Sequence, residues 1–183
     1  MSAGPQVRRS DKLMTQTSVE ELLSRAYSGR LATVGPDGWP YVCPLLYIWL
    51  DGKIWVHTTS AIGHLRNNVM FQPKVCFELD EPGQVFLYGR SECDTSLEYR
   101  SVVVFGQISI LEDDAQKTAF FDVLMQKYTP QDIGRPRGVY PRLNQVTVYA
   151  ITVERRTGKE TILPAVESQW PALANKATRH AGA

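Results

Sequence analysis

No apolar run in this chain approaches the ~20 residues that a membrane-spanning helix needs, so no membrane span is expected. An excess of charge of either sign is missing too. Twenty Lys and Arg against 19 Asp and Glu leave a net charge of +1, with no basic field to attract nucleic acid or an anionic membrane. Cysteine is scarce: Cys43, Cys76 and Cys93 are an odd set that cannot all pair. Two of them fall inside apolar strand patterns, and buried reduced thiols in a cytoplasmic protein are the economical interpretation. They show no metal-ligand spacing and the three histidines do not cluster with them, so no metal site is expected. The first dozen residues lack the apolar stretch of a signal peptide. Neither a G-x-G-x-x-G turn nor alternating βαβ units occur, which argues against a dinucleotide crevice.

What remains is an ordinary globular composition, 43% apolar and 21% charged over 183 residues, suited to one domain with one core. Residues 1–16 are expected to be a flexible arm, 17–174 a single domain and 175–183 a disordered tail. Ser18 and Glu21 suggest a capping box for a short helix ending at Gly29. Arg30–Val34, the turn Gly35-Pro36-Asp37-Gly38 and the run Tyr41–Leu50 make a hairpin. Asp51-Gly52 then turns the chain into the strand Lys53–His57. A helix is expected over Ala61–Phe71 and a strand over Lys74–Leu79, followed by a loop-rich stretch to Thr95. Glu98–Leu111 is the strongest strand, with Val102, Val103 and Val104 in succession. Asp113 or Asp114 caps a helix to about Tyr128 whose Ala119, Phe120, Val123 and Leu124 share one face. The Pro- and Gly-rich stretch 129–143 is an extended loop, with the basic part Arg135–Arg142 read as solvated. Gln145–Arg155 is a closing strand, and Arg156-Thr157-Gly158-Lys159 a turn. Six or so strands joined mostly by hairpins indicate a mainly β fold, an antiparallel barrel with peripheral helices.

One stretch carries chemistry. In K-I-W-V-H-T-T-S-A-I-G-H-L-R-N-N, Lys53 to Asn68, a strand ends on His57 and passes into Thr58, Thr59 and Ser60 before a helix opens. Hydroxyls beside the free N–H groups and positive dipole end of a helix suit a phosphate, and Arg66 one turn on would add a charge-assisted bond. The same hydroxyls also read as N-caps, which Ser60 alone satisfies without a ligand, so both interpretations stand. Tyr47 and Trp49 give their strand an aromatic face for a core or a subunit interface. Tyr99-Arg100-Ser101 is either ordinary strand chemistry with an ion-paired Arg100 or a cofactor contact. Cys43 has no histidine neighbour in sequence to activate it and is read as packing.

The order of these pieces resembles a known family. L-A-T-V-G-P-D-G-W-P-Y-V-C-P-L-L-Y, then D-G-K-I-W-V-H, G-H-L-R-N-N and P-K-V-C-F, is similar to the FMN-binding split β-barrel proteins related to pyridoxamine 5′-phosphate oxidase. Y-R-S-V-V-V-F-G (Tyr99–Gly106), V-Y-A-I-T-V-E-R-R-T-G-K-E (Val148–Glu160) and W-P-A-L (Trp170–Leu173) continue the pattern, which looks nearest to the nitroimidazole-resistance type. The resemblance covers roughly residues 10–174. It implies a six-stranded antiparallel, Greek-key-like split barrel, and a homodimer with one FMN in each of two clefts between subunits. Pro44, Leu45, Leu46 and Tyr47 would lie along the polar edge of the flavin ring, with His57, Thr58 and Thr59 flanking the ring and ribityl chain. Ile62, Gly63, His64, Leu65 and Arg66 would surround the phosphate. Tyr99, Arg100 and Ser101 would complete the cleft, from the same chain or from the second one.

His57 is the implied active-site residue. The implied activity is flavin-dependent reduction of a small acceptor such as a nitroaromatic ring. The alternative is a non-catalytic barrel that holds flavin, heme or a deazaflavin. A true pyridoxamine phosphate oxidase fits less well, because the last strand offers only Arg155, Arg156 and Lys159 for a second phosphate. The chain departs from the pattern where many relatives carry Lys or Arg just after the glycine, since His64 and Leu65 stand there. It departs again at Thr161-Ile162-Leu163, where many relatives have an aromatic residue.

Overall fold

The computed structural model describes residues 7–131, 134 and 136–169; Trp170–Leu173 and the expected tail lie outside them. Seven strands form one antiparallel sheet: β1 (Gly29–Val34), β2 (Pro40–Leu45), β3 (Tyr47–Leu50), β4 (Lys53–Thr59), β5 (Lys74–Leu87), β6 (Thr95–Leu111) and β7 (Val146–Thr161). Three helices accompany them: α1 (Gln16–Arg25), α2 (His64–Phe71) and α3 (Asp114–Tyr128). The strand order is β2-β1-β5-β6-β7-β4-β3. Its two edges, β2 and β3, are joined through Leu46 alone. Consecutive Cα atoms are 3.8 Å apart, so the edges cannot separate by more than about 8 Å at that point. The sheet must therefore curl on itself, closed along the ladder and split between β2 and β3.

Two hydrophobic clusters follow from the strand alternation. Tyr47, Ile54, Val56, Phe77, Leu79, Val102, Val104, Tyr149 and Ile151 fill the barrel, with Val19, Leu22 and Leu23 of α1 closing one end. Trp55, Ile48, Val148 and Ala150 point to the other face, against Phe120 and Leu124 of α3. Each large side chain so buried contributes about 1.5–3 kcal/mol. On α3, Asp113 caps as expected, its carboxylate accepting from Ala115 N–H. Ala119 faces solvent, however, and Lys117 takes an inward position instead.

Several boundaries differ from those expected, each for a local reason. The count is seven strands rather than six, because Tyr41–Leu50 breaks at Leu46 to change sheet edge. The loop-rich stretch after Leu79 is instead an extension of the β5–β6 hairpin, with Val85 opposite Leu97 and Leu87 opposite Thr95 beyond a register shift at Pro82. Pro82 still stands opposite Tyr99, and the shift that follows it takes up Gly83 and Gln84 before pairing resumes at Val85. No turn forms at Gly158, through which β7 runs without interruption. The glycine is there for space: a Cβ on it would lie 2.5 Å from Val19 Cγ2.

Helix α1 begins earlier than expected, capped by Thr15, whose hydroxyl accepts from Ser18 N–H at 3.1 Å. Within the stretch expected as a flexible arm, Leu13 bridges to Lys159 and Met14 is buried, its N–H bonded to Gly158 C=O. The packed domain therefore begins before residue 17. Among the described residues, no helix is long and apolar enough to cross a membrane.

Candidate functional site

The end of β4 is the place where the sheet leaves backbone unpaired. Ser60 N–H donates to Gln145 C=O at 2.9 Å, in register with the β4–β7 ladder. By the alternation of an antiparallel pair, His57 and Thr59 then direct their N–H and C=O groups away from β7, toward β3. Strand β3 begins only at Tyr47, opposite Val56. In that register Leu46 stands opposite His57, so it is Thr59 whose main-chain groups lie past the end of β3 and face the split.

Side chains alternate in the same way. Thr58 points to the barrel interior, where its hydroxyl lies 3.3 Å from Tyr149 Oη and donates to Thr59 C=O at 3.0 Å. His57 points to the opposite face, under α3. Its ring centroid is 5.5 Å from Phe120 and 5.3 Å from Phe121, and its Nδ1 is buried without a hydrogen-bond partner. Burial pushes the imidazole below its ordinary pKa. Tyr140, from the loop expected to be solvated, packs on Phe121 at 5.3 Å, adding a third ring to the wall.

Helix α2 starts at His64 rather than Ala61, because the Ser60–Gln145 bond keeps the chain extended past the strand end. Ser60 is therefore not the cap. Gly63 is, and it makes no side-chain cap bond, so the first N–H groups of the helix keep no capping acceptor. A Cβ added at Gly63 would meet nothing within 4 Å, which leaves that end open to an incoming anion. Arg66 lies behind it. One guanidinium nitrogen donates to Ser60 C=O at 2.8 Å and lies 3.4 Å from Thr147 Oγ1, whereas Nε is buried without a partner. Thr59, Ser60, Ile62, Gly63 and His64 are exposed; Leu65 is buried in the core and serves packing.

Strand β2 reaches the same corner, for Tyr41 stacks on His64 with ring centroids 5.5 Å apart and 19° between planes. Leu46 continues the β3 register to a position opposite His57. Pro44 and Leu46 are exposed there and Leu45 is half-buried. Tyr47 differs from them. Its side chain is in the core with its hydroxyl donating to Leu23 C=O at 2.6 Å. Its main-chain N–H and C=O are held by Tyr128 and Lys127 of α3.

The structure thus brings Pro44–Leu46, His57–Thr59 and Ile62–Arg66 to one end of the barrel. Tyr99, Arg100 and Ser101 do not join them. Val148 stands opposite both His57 and Leu111, and Tyr99 is twelve residues from Leu111 along β6, on the order of 40 Å of extended strand. There Arg100 is ion-paired with Glu160 at 3.1 Å, beside Glu81 and Glu98.

Sequence reasoning overlooked the unpaired edge of β4, Tyr41, and the α3 residues Phe121, Lys127 and Tyr128. Only Tyr41 carried a usable signal, an aromatic opening the expected run Tyr41–Leu50 two residues from Trp39. The cysteines are free, with Cys43 and Cys76 half-buried and Cys93 exposed rather than all buried. Among the described residues, no group of three or more His, Cys, Asp or Glu is arranged to hold a metal ion.

A family model described as pyridoxamine 5′-phosphate oxidase matches residues 15–160. The chain belongs to that family. No curated protein matches it. Among solved structures, the fold is similar to a candidate 5-nitroimidazole antibiotic resistance protein from Bacteroides thetaiotaomicron (20% identity, 81% of this chain and 85% of that one, TM-score 0.67). It is similar also to the flavocytochrome Anf3 of Azotobacter vinelandii (19% identity, 87% and 73%, TM-score 0.75). A third is the FAD and heme binding protein of Mycobacterium smegmatis (21% identity, 84% and 76%, TM-score 0.70). At these identities the likeness is one of fold, and the split barrel is the fold expected from the sequence.

Proposed function

We propose that this chain is an FMN-dependent oxidoreductase that acts as a homodimer and reduces a small acceptor of the nitroaromatic or quinone class. The observation that carries the reading is the junction of β4 and α2. The uncapped helix start at Gly63, the open space around it, the exposed Thr59 and Ser60 hydroxyls and the unsatisfied Nε of Arg66 form a set of donors with no internal acceptor. A phosphate ester supplies the acceptor they lack. The main-chain groups of Thr59, past the end of β3, suit the ribityl chain and ring beside it.

The flavin, when bound, supplies the two-electron chemistry. The residues of the chain bind and orient it and manage protons. Burial keeps the His57 imidazole neutral near pH 7, so His57 accepts a proton or a hydrogen bond at the ring rather than acting as a standing cation. Phe120 and Phe121 restrict water on its α3 side.

Two features support the dimer. Tyr99–Ser101 reach the cleft only if a second chain provides them, since within one chain they lie at the far end of β6. Exposed Trp39, Val42, Ile62, Met70 and Phe71, on β2, on α2 and beside them, offer an apolar surface for that partner.

The first experiment is the absorbance spectrum of purified protein with mass measurement of any released cofactor. FMN bound one per chain in a dimer supports the reading; heme or a deazaflavin in its place sinks it. His57→Ala should leave a folded, flavin-bearing dimer with strongly reduced NAD(P)H-driven turnover of a nitro acceptor. Undiminished turnover would remove His57 from the mechanism. A second reading, a carrier or store of flavin or heme, draws on the unpartnered neutral nitrogen of His57. Bound cofactor that no nitro or quinone acceptor reoxidises after reduction would favour it.

A further inference from the structure

The seam between β2 and β3 has no strand to cover it, yet the main chain at its centre is fully bonded. Tyr47 directs its N–H and C=O outward from β3, away from β4. Both meet one side chain, Tyr128, whose hydroxyl accepts from Tyr47 N–H at 3.2 Å and lies 2.9 Å from Tyr47 C=O as a donor. That single hydroxyl proton is shared with Tyr27 C=O at 2.7 Å. Lys127 completes the arrangement. Its ammonium donates to Tyr47 C=O at 3.3 Å and lies 3.9 Å above the centre of the Tyr47 ring, with no carboxylate in ion-pair contact among the described residues. The last turn of α3 thus stands where a neighbouring strand would be. It holds the residue next to Leu46, the one link between the two sheet edges.

We propose that Lys127 and Tyr128 are positioning residues that fix the Pro44–Tyr47 crossover, and through it the main-chain groups presented to the ring edge of the cofactor. This rests on the reading of that crossover as the ring-edge contact. The logic is one of alternatives. Leu46 is exposed and lies outside both strands; Leu45 is held by Gly29 and Tyr47 by Val56 and its buried side chain, which leaves the outward main-chain groups of Tyr47 to be held from α3. Both of its polar main-chain groups are held from α3, a helix that also carries the Phe120 and Phe121 wall against His57. One helix therefore sets both sides of the ring site.

The test uses full-length Tyr128→Phe and Lys127→Met, with Lys127→Arg as the conservative control. Amide hydrogen exchange is followed for peptides covering 44–50, with 74–80 in the β5 ladder as reference. FMN titration with visible spectra of the bound flavin is run in parallel. We expect about tenfold faster exchange at the crossover in Tyr128→Phe with the β5 peptide unchanged, about tenfold weaker FMN binding and a shifted flavin band. Lys127→Met should show the same pattern more weakly and Lys127→Arg should restore it. Unchanged crossover exchange overturns the proposal, and so does faster exchange with wild-type FMN affinity and spectrum. A wild-type protein that takes up no FMN overturns the function proposed above and with it the positioning role. The exchange data would then still report whether α3 holds the seam.

Discussion

The imidazole of His57 meets the ring of Phe121 edge-on, centroids 5.3 Å apart and planes at 70°, and the contact keeps water from one side of the ring. A buried imidazole is harder to charge, which depresses its folded pKa below 6.5. Below that value the unfolded chain binds the proton more readily than the folded one. Stability from this residue is therefore full above about pH 6.5 and is lost as pH falls through the lower folded value. Thermal unfolding followed from pH 7.5 to 5 should show a falling midpoint in wild type and a shallower fall in His57→Leu. Equal slopes would mean that His57 is not buried in solution.

Phe120 is fully buried between α3 and the β3-β4-β7 face, among Ile48, Trp55, Val148 and Leu124. Phe120→Ala should cost about 3–5 kcal/mol in urea unfolding, because a large cavity would remain in a rigid site. It should also weaken the proposed cofactor site by loosening the wall beside His57. A cost under about 1 kcal/mol would show that α3 does not pack as described.

Arg66 separates the phosphate reading from a purely structural one. If its guanidinium serves a phosphate, Arg66→Ala should weaken FMN by about tenfold or more and leave riboflavin, which has no phosphate, almost unaffected. Equal losses for both ligands would place Arg66 in the support of the Ser60 loop alone.

Gly158 is predicted to tolerate no side chain. Gly158→Ala puts a methyl 2.5 Å from Val19 Cγ2 and 3.1 Å from Met14 Cβ, which should destabilise the protein by about 1–3 kcal/mol. Combined with Val19→Ala the two changes should be less than additive, since the second removes the atom that the first strikes. Strict additivity in denaturant titrations would refute the close approach of α1 to β7.

Much of this was legible in the sequence because it is written locally. The Gly35–Gly38 turn, the Val102–Val104 run and the Asp113 cap each declare their element within a few residues, and all three stand where expected. The Thr58–Arg66 segment suggested a candidate anion site for the same reason, since donors, glycine and helix start lie within nine residues. What escaped notice depends on contacts distant in sequence. Nothing local marks Leu46 as a change of sheet edge, because the apolar pattern of Tyr41–Leu50 continues through it. Gly158 looks like a turn residue until Val19 is placed above it. Tyr128 reads as the end of a helix and acquires its part only when Tyr47, eighty-one positions earlier, turns its main chain outward. The Asp80–Thr95 stretch was obscured by Pro82 and Gly83, which locally argue against the pairing that Val85 and Leu97 restore beyond them.

The strand order also governs how the chain can assemble. Before Val146–Thr161 is in place, the ladder exists as two unconnected parts, β2-β1-β5-β6 and β4-β3, tethered only through Leu46 and the segment between β4 and β5. Strand β7 is the keystone between them, pairing with β6 on one side and with β4 on the other. Nascent chains shorter than about residue 146 thus carry two raw strand margins, on β6 and β4, each able to recruit a foreign strand. Completion waits on contacts nearly a hundred residues apart, such as Lys53 with Thr152, so closing the barrel is expected to be the slow stage of folding.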